Sequence, residues 1–366
     1  MRVVIDGVPI RGQSLAIVVD NLLRGWASRA EDELHIVTSA QAEIRIPASV
    51  RVHRVDLGRR AAVGRLRAQS VDVPRVCRAV GADVLLGVLP TTTVTPLPCP
   101  RALISYDLRY EQRPEQYGRA ARLLRKYSYE LGYRQADAIM CISDRTRQDL
   151  LARRPWLRDR PVTVTHLGAD QAASWPAAPT PRVGRPYALA FGQYGNKNVD
   201  LVVDAWARLG ATPPLDLTIV GLGDTERAAV RRRIDALGLG EHVTARNWLS
   251  DAEFQATFTA ASMIVFPSDF EGFGMPAVEA MWLGIPLVIT PEKALLEVCA
   301  GHAVVMDGWD AEALTAAVRV AADRSPAELA AARDHGRTFT WARTASQVRA
   351  TLEQIAQRAR EEIRRP

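Results

Sequence analysis

No stretch of the 366 residues approaches the roughly 20 consecutive apolar positions that a membrane-spanning helix requires. The opening residues, MRVVIDGVPIRG, also lack the apolar core of a signal peptide. Together these absences predict a cytoplasmic protein, soluble or at most peripherally attached to a membrane. Cysteine is scarce: Cys77, Cys99, Cys141 and Cys299 are scattered, with no C-x-x-C pair and no histidine at ligand spacing nearby. That pattern argues against a disulfide framework or a zinc site and predicts reduced, mostly buried thiols. No convincing D-x-D pair is present. Lysine is nearly missing, and arginine carries almost all the basic charge. Aromatic residues make up 6% of the chain and do not interleave with the arginines, which removes nucleic acid from the candidate partners.

The charge that is there falls unevenly. Residues 1–180 hold 27 Lys plus Arg against 18 Asp plus Glu, a net of +9, whereas residues 181–366 hold 20 against 23, a net of −3. A basic first half suits a phosphorylated acceptor or an anionic membrane surface, or is simply a solvated surface on which arginine stands in for lysine. The length exceeds one ordinary core and suits two domains of about 150–200 residues each. In the first half Val3–Asp6, Leu34–Val37, Val50–Val55, Asp83–Leu89, Ala102–Ser105, Ala138–Ile142 and Val162–Thr165 read as strands. Leu15, Val18, Val19, Leu22 and Trp26 form an apolar stripe at helical spacing, and Leu123, Leu124, Tyr127 and Leu131 mark a second, arginine-rich helix. After the proline-rich segment Ala172–Pro186 the pattern restarts with Tyr187–Phe191, Leu215–Val220, Val243–Asn247, Met263–Pro267, Pro286–Ile289 and Val304–Met306. This is βαβ organisation. It predicts a Rossmann-like domain over 1–170, a linker over 171–186, a second Rossmann-like domain over 187–344, and a helix over 345–366 that crosses back to the first domain. Two such domains would leave a cleft in which ligands commonly bind.

The run FPSDFEGFGMPAVEAMWLGIPLVIT, from Phe266 to Thr290, carries the chemistry. Met263–Pro267 reads as a buried parallel strand and Ser268–Gly274 as a loop, while Pro276 fits the first turn of a helix that ends near Gly284. Glu271 then sits in the loop at the strand's C-terminal edge and Glu279 on the first turn of the helix, both towards the crevice outside the sheet. Between them Gly272 and Gly274 let backbone amides approach a ligand, and the helix N-terminus favours a phosphate. Carboxylates hold hydroxyls; amides hold oxyanions. The combination suits a nucleotide diphosphate sugar better than a free sugar or a bare nucleotide.

Further segments extend the pattern: FGQYGNKN (Phe191–Asn198), IVGLGD (Ile219–Asp224), LLEVCAGHAVVMD (Leu295–Asp307), FTWARTA (Phe339–Ala345) and, in the first half, CISDRTRQDL (Cys141–Leu150). In their order and spacing, over roughly residues 100–345, the chain resembles the retaining glycosyltransferases of family 4, the glycosyl transferases group 1. Their fold is GT-B, α/β, with two Rossmann-like doubly wound domains facing an interdomain cleft. The resemblance implies metal-independent transfer of a hexose, with retention and without a cofactor, from a nucleotide diphosphate sugar to a hydroxyl-bearing acceptor such as a natural product or a cell-envelope glycan. The KN and EGFGMP segments resemble members that transfer mannose or a deoxyhexose.

Residue by residue, the resemblance implies that Glu279 holds the ribose hydroxyls of the donor and that Glu271 faces the transferred sugar. Phe273, Gly274 and Met275 would offer backbone amides to sugar and diphosphate, with Gly192, Gln193 and Gly221 completing the donor site. Lys197 would neutralise the diphosphate as the glycosidic bond breaks. Gly12, after the first strand, matches the point where the first domain approaches the phosphates. Two positions depart from the family pattern. Gln193 stands where an arginine is usual, keeping a donor and losing a charge. Tyr106 replaces the histidine that commonly precedes Asp107; tyrosine still donates a hydrogen bond but is a poor base at neutral pH. Catalysis in the family tolerates this, because the leaving diphosphate oxygen accepts the acceptor's proton. The same departures motivate a rival reading, a catalytically silent nucleotide-sugar-binding protein, while a sugar epimerase of this fold would show a different glutamate and histidine pattern. The acceptor itself stays open, since the first half matches the family least.

Overall fold

The computed structural model describes residues 1–27, 32–91, 93–177, 184–193 and 195–364. Residues 178–183 of the expected linker, Tyr194 of the FGQYGNKN segment and residues 365–366 of the expected last helix lie outside the described residues. The chain divides into two compact units, Met1–Gly168 with Thr340–Pro366, and Ala169–Phe339.

The first unit is built on seven parallel strands: β1 (Arg2–Asp6), β2 (Glu33–Ser39), β3 (Arg51–Val55), β4 (Val84–Gly87), β5 (Arg101–Ser105), β6 (Ala138–Cys141) and β7 (Val162–Val164), in the order β3-β2-β1-β4-β5-β6-β7. Central strands covered on both faces read as near-continuous apolar runs, which is why the sequence locates them. Val4 pairs with Leu85, Leu85 with Arg101, and Leu103 falls two residues further on. The cluster of Val4, Val73, Cys77 and Leu85 and the cluster of Leu103, Tyr133 and Leu150 therefore share one face of the sheet. The helices Val73–Val80 and Arg119–Gln135 supply that face.

The stripe from Leu15 to Trp26 behaves as its spacing predicts: it lies on the helix Gln13–Ala27, and Val18, Val19, Leu22 and Trp26 are buried. The set from Leu123 to Leu131 also lies on a helix, Arg119–Gln135, but faces outward, with Leu124 62% and Tyr127 70% exposed. This helix meets the sheet through Gly132 and Tyr133 instead. Gly132 comes so close that an added Cβ would lie 2.4 Å from the carbonyl oxygen of Pro90. The Tyr133 ring is fully buried and its hydroxyl bonds the Ser105 Oγ at 2.8 Å. Tyr129 packs edge-on against Tyr133 and Tyr110, so two tyrosines at a close approach do the packing that a leucine stripe usually does.

The second unit has six parallel strands: β8 (Tyr187–Phe191), β9 (Asp216–Leu222), β10 (Val243–Asn247), β11 (Met263–Phe266), β12 (Leu287–Ile289) and β13 (Val304–Val305), in the order β10-β9-β8-β11-β12-β13. Its helices start on local signals. Ser250 with Glu253 and Ser325 with Glu328 form capping boxes, each satisfying backbone donors that the first helical turn leaves over. All four cysteines are free thiols, with Cys77, Cys141 and Cys299 buried.

The last helix, Trp341–Arg364, starts four residues before the expected Ala345 and belongs to the first unit, packed along Gln13–Ala27. Val348, Leu352 and Ile355 are buried there, while Ala359 is only half-buried. Two glycines seat its first turn. A Cβ on Gly25 would lie 2.5 Å from the Trp341 carbonyl carbon, and one on Gly168 would lie 2.3 Å from the Trp341 nitrogen. Alanine ordinarily favours a helix interior over glycine by about 1 kcal/mol. At Gly25 the clash is with backbone that no rotamer change relieves, and overpacking costs about 1–3 kcal/mol. Gly25→Ala should therefore lower the melting temperature by a few degrees. Gly118→Ala, where nothing lies within 4 Å, should leave it unchanged. An unchanged or raised melting temperature for Gly25→Ala would show that the last helix is not seated this way.

Candidate functional site

In the second unit the chain runs outward from β8 through β9 to β10, then returns to β11 on the other side of β8 and continues through β12 to β13. The neighbours β8 and β11 thus flank a topological switch point, and the loops after them diverge to leave a crevice at their C-terminal ends. Lys197 follows β8 and Glu271 follows β11, which brings together two residues 74 positions apart in the chain. The Lys197 Nζ lies 2.5 Å from the Glu271 Oε1 and 4.1 Å from the centre of the Phe266 ring. The two side chains are only 11% and 14% exposed, so each charge depends on the other.

Asn196 fixes this pair. It is 2% exposed, and its Nδ2 donates to the Ser268 Oγ at 2.8 Å, to the Phe270 carbonyl at 2.8 Å and to the Glu271 Oε1 at 3.2 Å. Its own carbonyl accepts from the Asp269 amide at 3.0 Å. Asn198 adds a further tie from its Nδ2 to the Pro267 carbonyl at 2.8 Å and takes the left-handed conformation, φ 51°, that asparagine tolerates better than most residues. Both asparagines stand in the FGQYGNKN segment, yet their side-chain chemistry carries no mark there of which loop they would hold.

The glycine-rich loop ends at Gly274, which needs glycine for two reasons: its φ is 94°, and an added Cβ would lie 2.4 Å from the Leu295 Cδ2. The helix Met275–Leu283 begins immediately after, one residue before the expected Pro276, so Gly272, Phe273, Gly274 and Met275 lead into its N-terminus. Phe273 turns its ring inward, 2% exposed and edge-on to Phe339 at 5.9 Å, leaving its backbone as the part available to a ligand. Gly192 follows β8 against the Leu222 side chain, and Gly221, at φ 81°, lies beside Gln193. Glu279, 7% exposed, accepts a hydrogen bond at 2.7 Å from the Nε2 of Gln171, a residue of the expected linker that the sequence did not single out. Burial pushes the Glu279 carboxyl up to about 7, with the Gln171 hydrogen bond acting the other way.

Gly12, Tyr106 and Asp107 lie in the first unit. Gly12 follows β1 at φ 70°, open to solvent. Tyr106 follows β5; burial raises its hydroxyl above the usual range, and that oxygen has no hydrogen-bond partner among the described residues. Asp107 accepts the Arg109 amide at 2.9 Å in a local turn. Burial raises its carboxyl, opposed by that bond and by Arg109, Arg125 and Arg145. Among the described residues, no group of His, Cys, Asp and Glu side chains is arranged to hold a metal ion.

Glu279 gives the site a measurable signature. Its folded value of about 7 exceeds its ordinary 4.5, so the unfolded chain binds fewer protons between them. Its contribution to stability is complete below pH 4.5 and is lost as the pH rises through 7, leaving a cost on the order of 3 kcal/mol in more alkaline solution. Glu279→Gln should melt close to the parent at about pH 5 and several degrees above it at about pH 8. Thermal unfolding at the two pH values checks this, and an equal offset at both would remove the carboxylate from the explanation.

Residues 173–333 match the family model of glycosyl transferases group 1. The chain is 31% identical over 237 residues to an MMP alpha-(1->4)-mannosyltransferase of Mycolicibacterium hassiacum, covering 62% of this chain and 56% of that protein. It is 26% identical over 220 residues to the O-antigen chain mannosyltransferase B of Escherichia coli, covering 56% and 58%. The chain thus spans little more than half the length of these relatives. Among solved structures it superposes on the catalytic domain of starch synthase IV from Arabidopsis thaliana with a TM-score of 0.73, at 12% identity and over 97% and 99% of the two chains. The two doubly wound parallel sheets are those of the GT-B fold, and the second unit belongs to the glycosyl transferases group 1 family.

Proposed function

We propose that the protein is a retaining glycosyltransferase that moves a hexose, with mannose favoured, from a nucleotide diphosphate sugar to a hydroxyl acceptor. The observation that carries this reading is the half-buried Lys197–Glu271 pair at the switch point, beside the glycine-rich entry to the helix Met275–Leu283. A cation held there is placed to meet a diphosphate, and amides at a helix N-terminus favour its oxygens. The two relatives named above are both mannosyltransferases, which supports the sugar.

In the resting site Glu271 neutralises Lys197. Donor binding would exchange that partner: Lys197 turns its charge to the diphosphate and Glu271 becomes free to accept hydroxyls of the sugar. Glu279, ionised, would accept the ribose hydroxyls. As the bond from the sugar's anomeric carbon to the diphosphate oxygen breaks, negative charge gathers on the leaving group, where Lys197 stabilises it. The acceptor hydroxyl forms the new bond on the same face, and its proton passes to the departing diphosphate oxygen. The charge on Lys197 does the work that a divalent ion would otherwise do, so the step is written without a metal.

Incubation with a panel of nucleotide diphosphate hexoses and hydroxyl acceptors should release nucleoside diphosphate and a new glycoside. Nucleotide binding without turnover across the panel would instead favour a silent nucleotide-sugar-binding protein. A nucleoside diphosphate at about 100 times its dissociation constant should stabilise the chain by about 2.7 kcal/mol, and no thermal shift with any nucleotide would sink the proposal. Lys197→Ala should slow turnover about 100-fold, or about 3 kcal/mol. It also leaves the Glu271 carboxylate uncompensated beside the diphosphate. Adding Glu271→Gln should therefore recover part of the nucleotide diphosphate affinity lost by Lys197→Ala. If the double variant binds more weakly than the single one, Glu271 and the diphosphate do not compete for the same charge.

A further inference from the structure

We propose that the outward face of the helix Arg119–Gln135, in the first unit, docks on an anionic lipid bilayer; this goes beyond the glycosyltransferase reading and does not depend on it. Leu123, Leu124, Tyr127 and Leu131 are 46%, 62%, 70% and 41% exposed. At about 100° per residue these four positions fall within a single arc of about 100°, so they form one continuous apolar stripe turned to solvent. The helix contributes to its own core through Gly132 and Tyr133, which leaves that stripe without a folding role.

Charge identifies the occupant. Arg119 and Lys126 flank one side of the stripe on the same helix, are exposed, and take part in no ion pair among the described residues. The helix's one carboxylate, Glu130, is already taken by Arg134 at 3.2 Å and Arg154 at 2.8 Å. An apolar stripe with unpaired cations at its border is how an interfacial helix meets anionic headgroups. A two-fold pairing of this face with a second copy would set these cations against one another, which disfavours a dimer here.

The test is co-sedimentation of the full chain with vesicles of phosphatidylcholine alone and with about 30% phosphatidylglycerol, at about 20 mM and about 150 mM salt. Binding to the anionic vesicles only, weakening at the higher salt, is expected. Leu124→Ser with Tyr127→Ser should reduce the bound fraction at least about tenfold, and Arg119→Glu with Lys126→Glu should do the same. Both pairs are surface changes, so the melting temperature and the shift produced by a nucleoside diphosphate should stay as in the parent. Those readouts separate failure here from failure of the donor site. Absence of binding to anionic vesicles at low salt, equal binding to neutral ones, or parental binding by the Leu124 and Tyr127 variant overturns the proposal. So does a dimer of the parent chain that this variant dissolves, because the stripe would then be a contact between copies.

Discussion

The side chain of Asn196 is the constraint on which the second unit's site depends. One buried amide donates to the Ser268 hydroxyl, the Phe270 carbonyl and the Glu271 carboxylate, and so pins the loop after β11 to the turn after β8. Parallel strands alone do not align their loops, because nothing in the β8–β11 ladder reaches beyond the strand ends. Without that crosslink Lys197 and Glu271 would be two charges on two independently moving loops, and their entropy would oppose a 2.5 Å contact. With it, the pair is held in a half-buried crevice where it is screened less by water and salt than an exposed pair.

The site is arranged at the expense of the fold's own stability. Gly274 holds a positive φ in a crowded position, Asn198 holds a left-handed conformation, and Glu279 is a carboxyl buried with one amide partner. Each is unfavourable for the fold taken alone, the kind of local cost that clusters at functional sites. The apolar strands beneath, with Val265 and Phe266 fully buried, supply the rigidity that lets such a surface persist.

In the first unit the helix Arg119–Gln135 separates two things a sequence pattern usually joins. Its leucines fall on the helix, but a close glycine approach and two packed tyrosines, Tyr129 and Tyr133, establish how it sits. The consequence is an amphipathic element whose apolar side is spent on neither core nor neighbour within the unit. Its surroundings are basic, in keeping with the excess of arginine in the first 180 residues.

The sequence by itself determined the strands of the two sheets, the two-part organisation and the glycine-rich loop that carries Glu271 and leads into the helix that carries Glu279. Those features are local: buried parallel strands are apolar throughout, and Pro276 and Gly284 bracket a helix whatever lies around it. Tertiary structure alone decided that Lys197 meets Glu271, that Asn196 holds both loops, and that Gln171 bonds Glu279 across 108 positions. It also decided which side of the helix Arg119–Gln135 faces the sheet. Period reports that one stripe of a helix is apolar, but whether that stripe is covered depends on what a parallel sheet brings beside it, and this contact is not encoded within the helix.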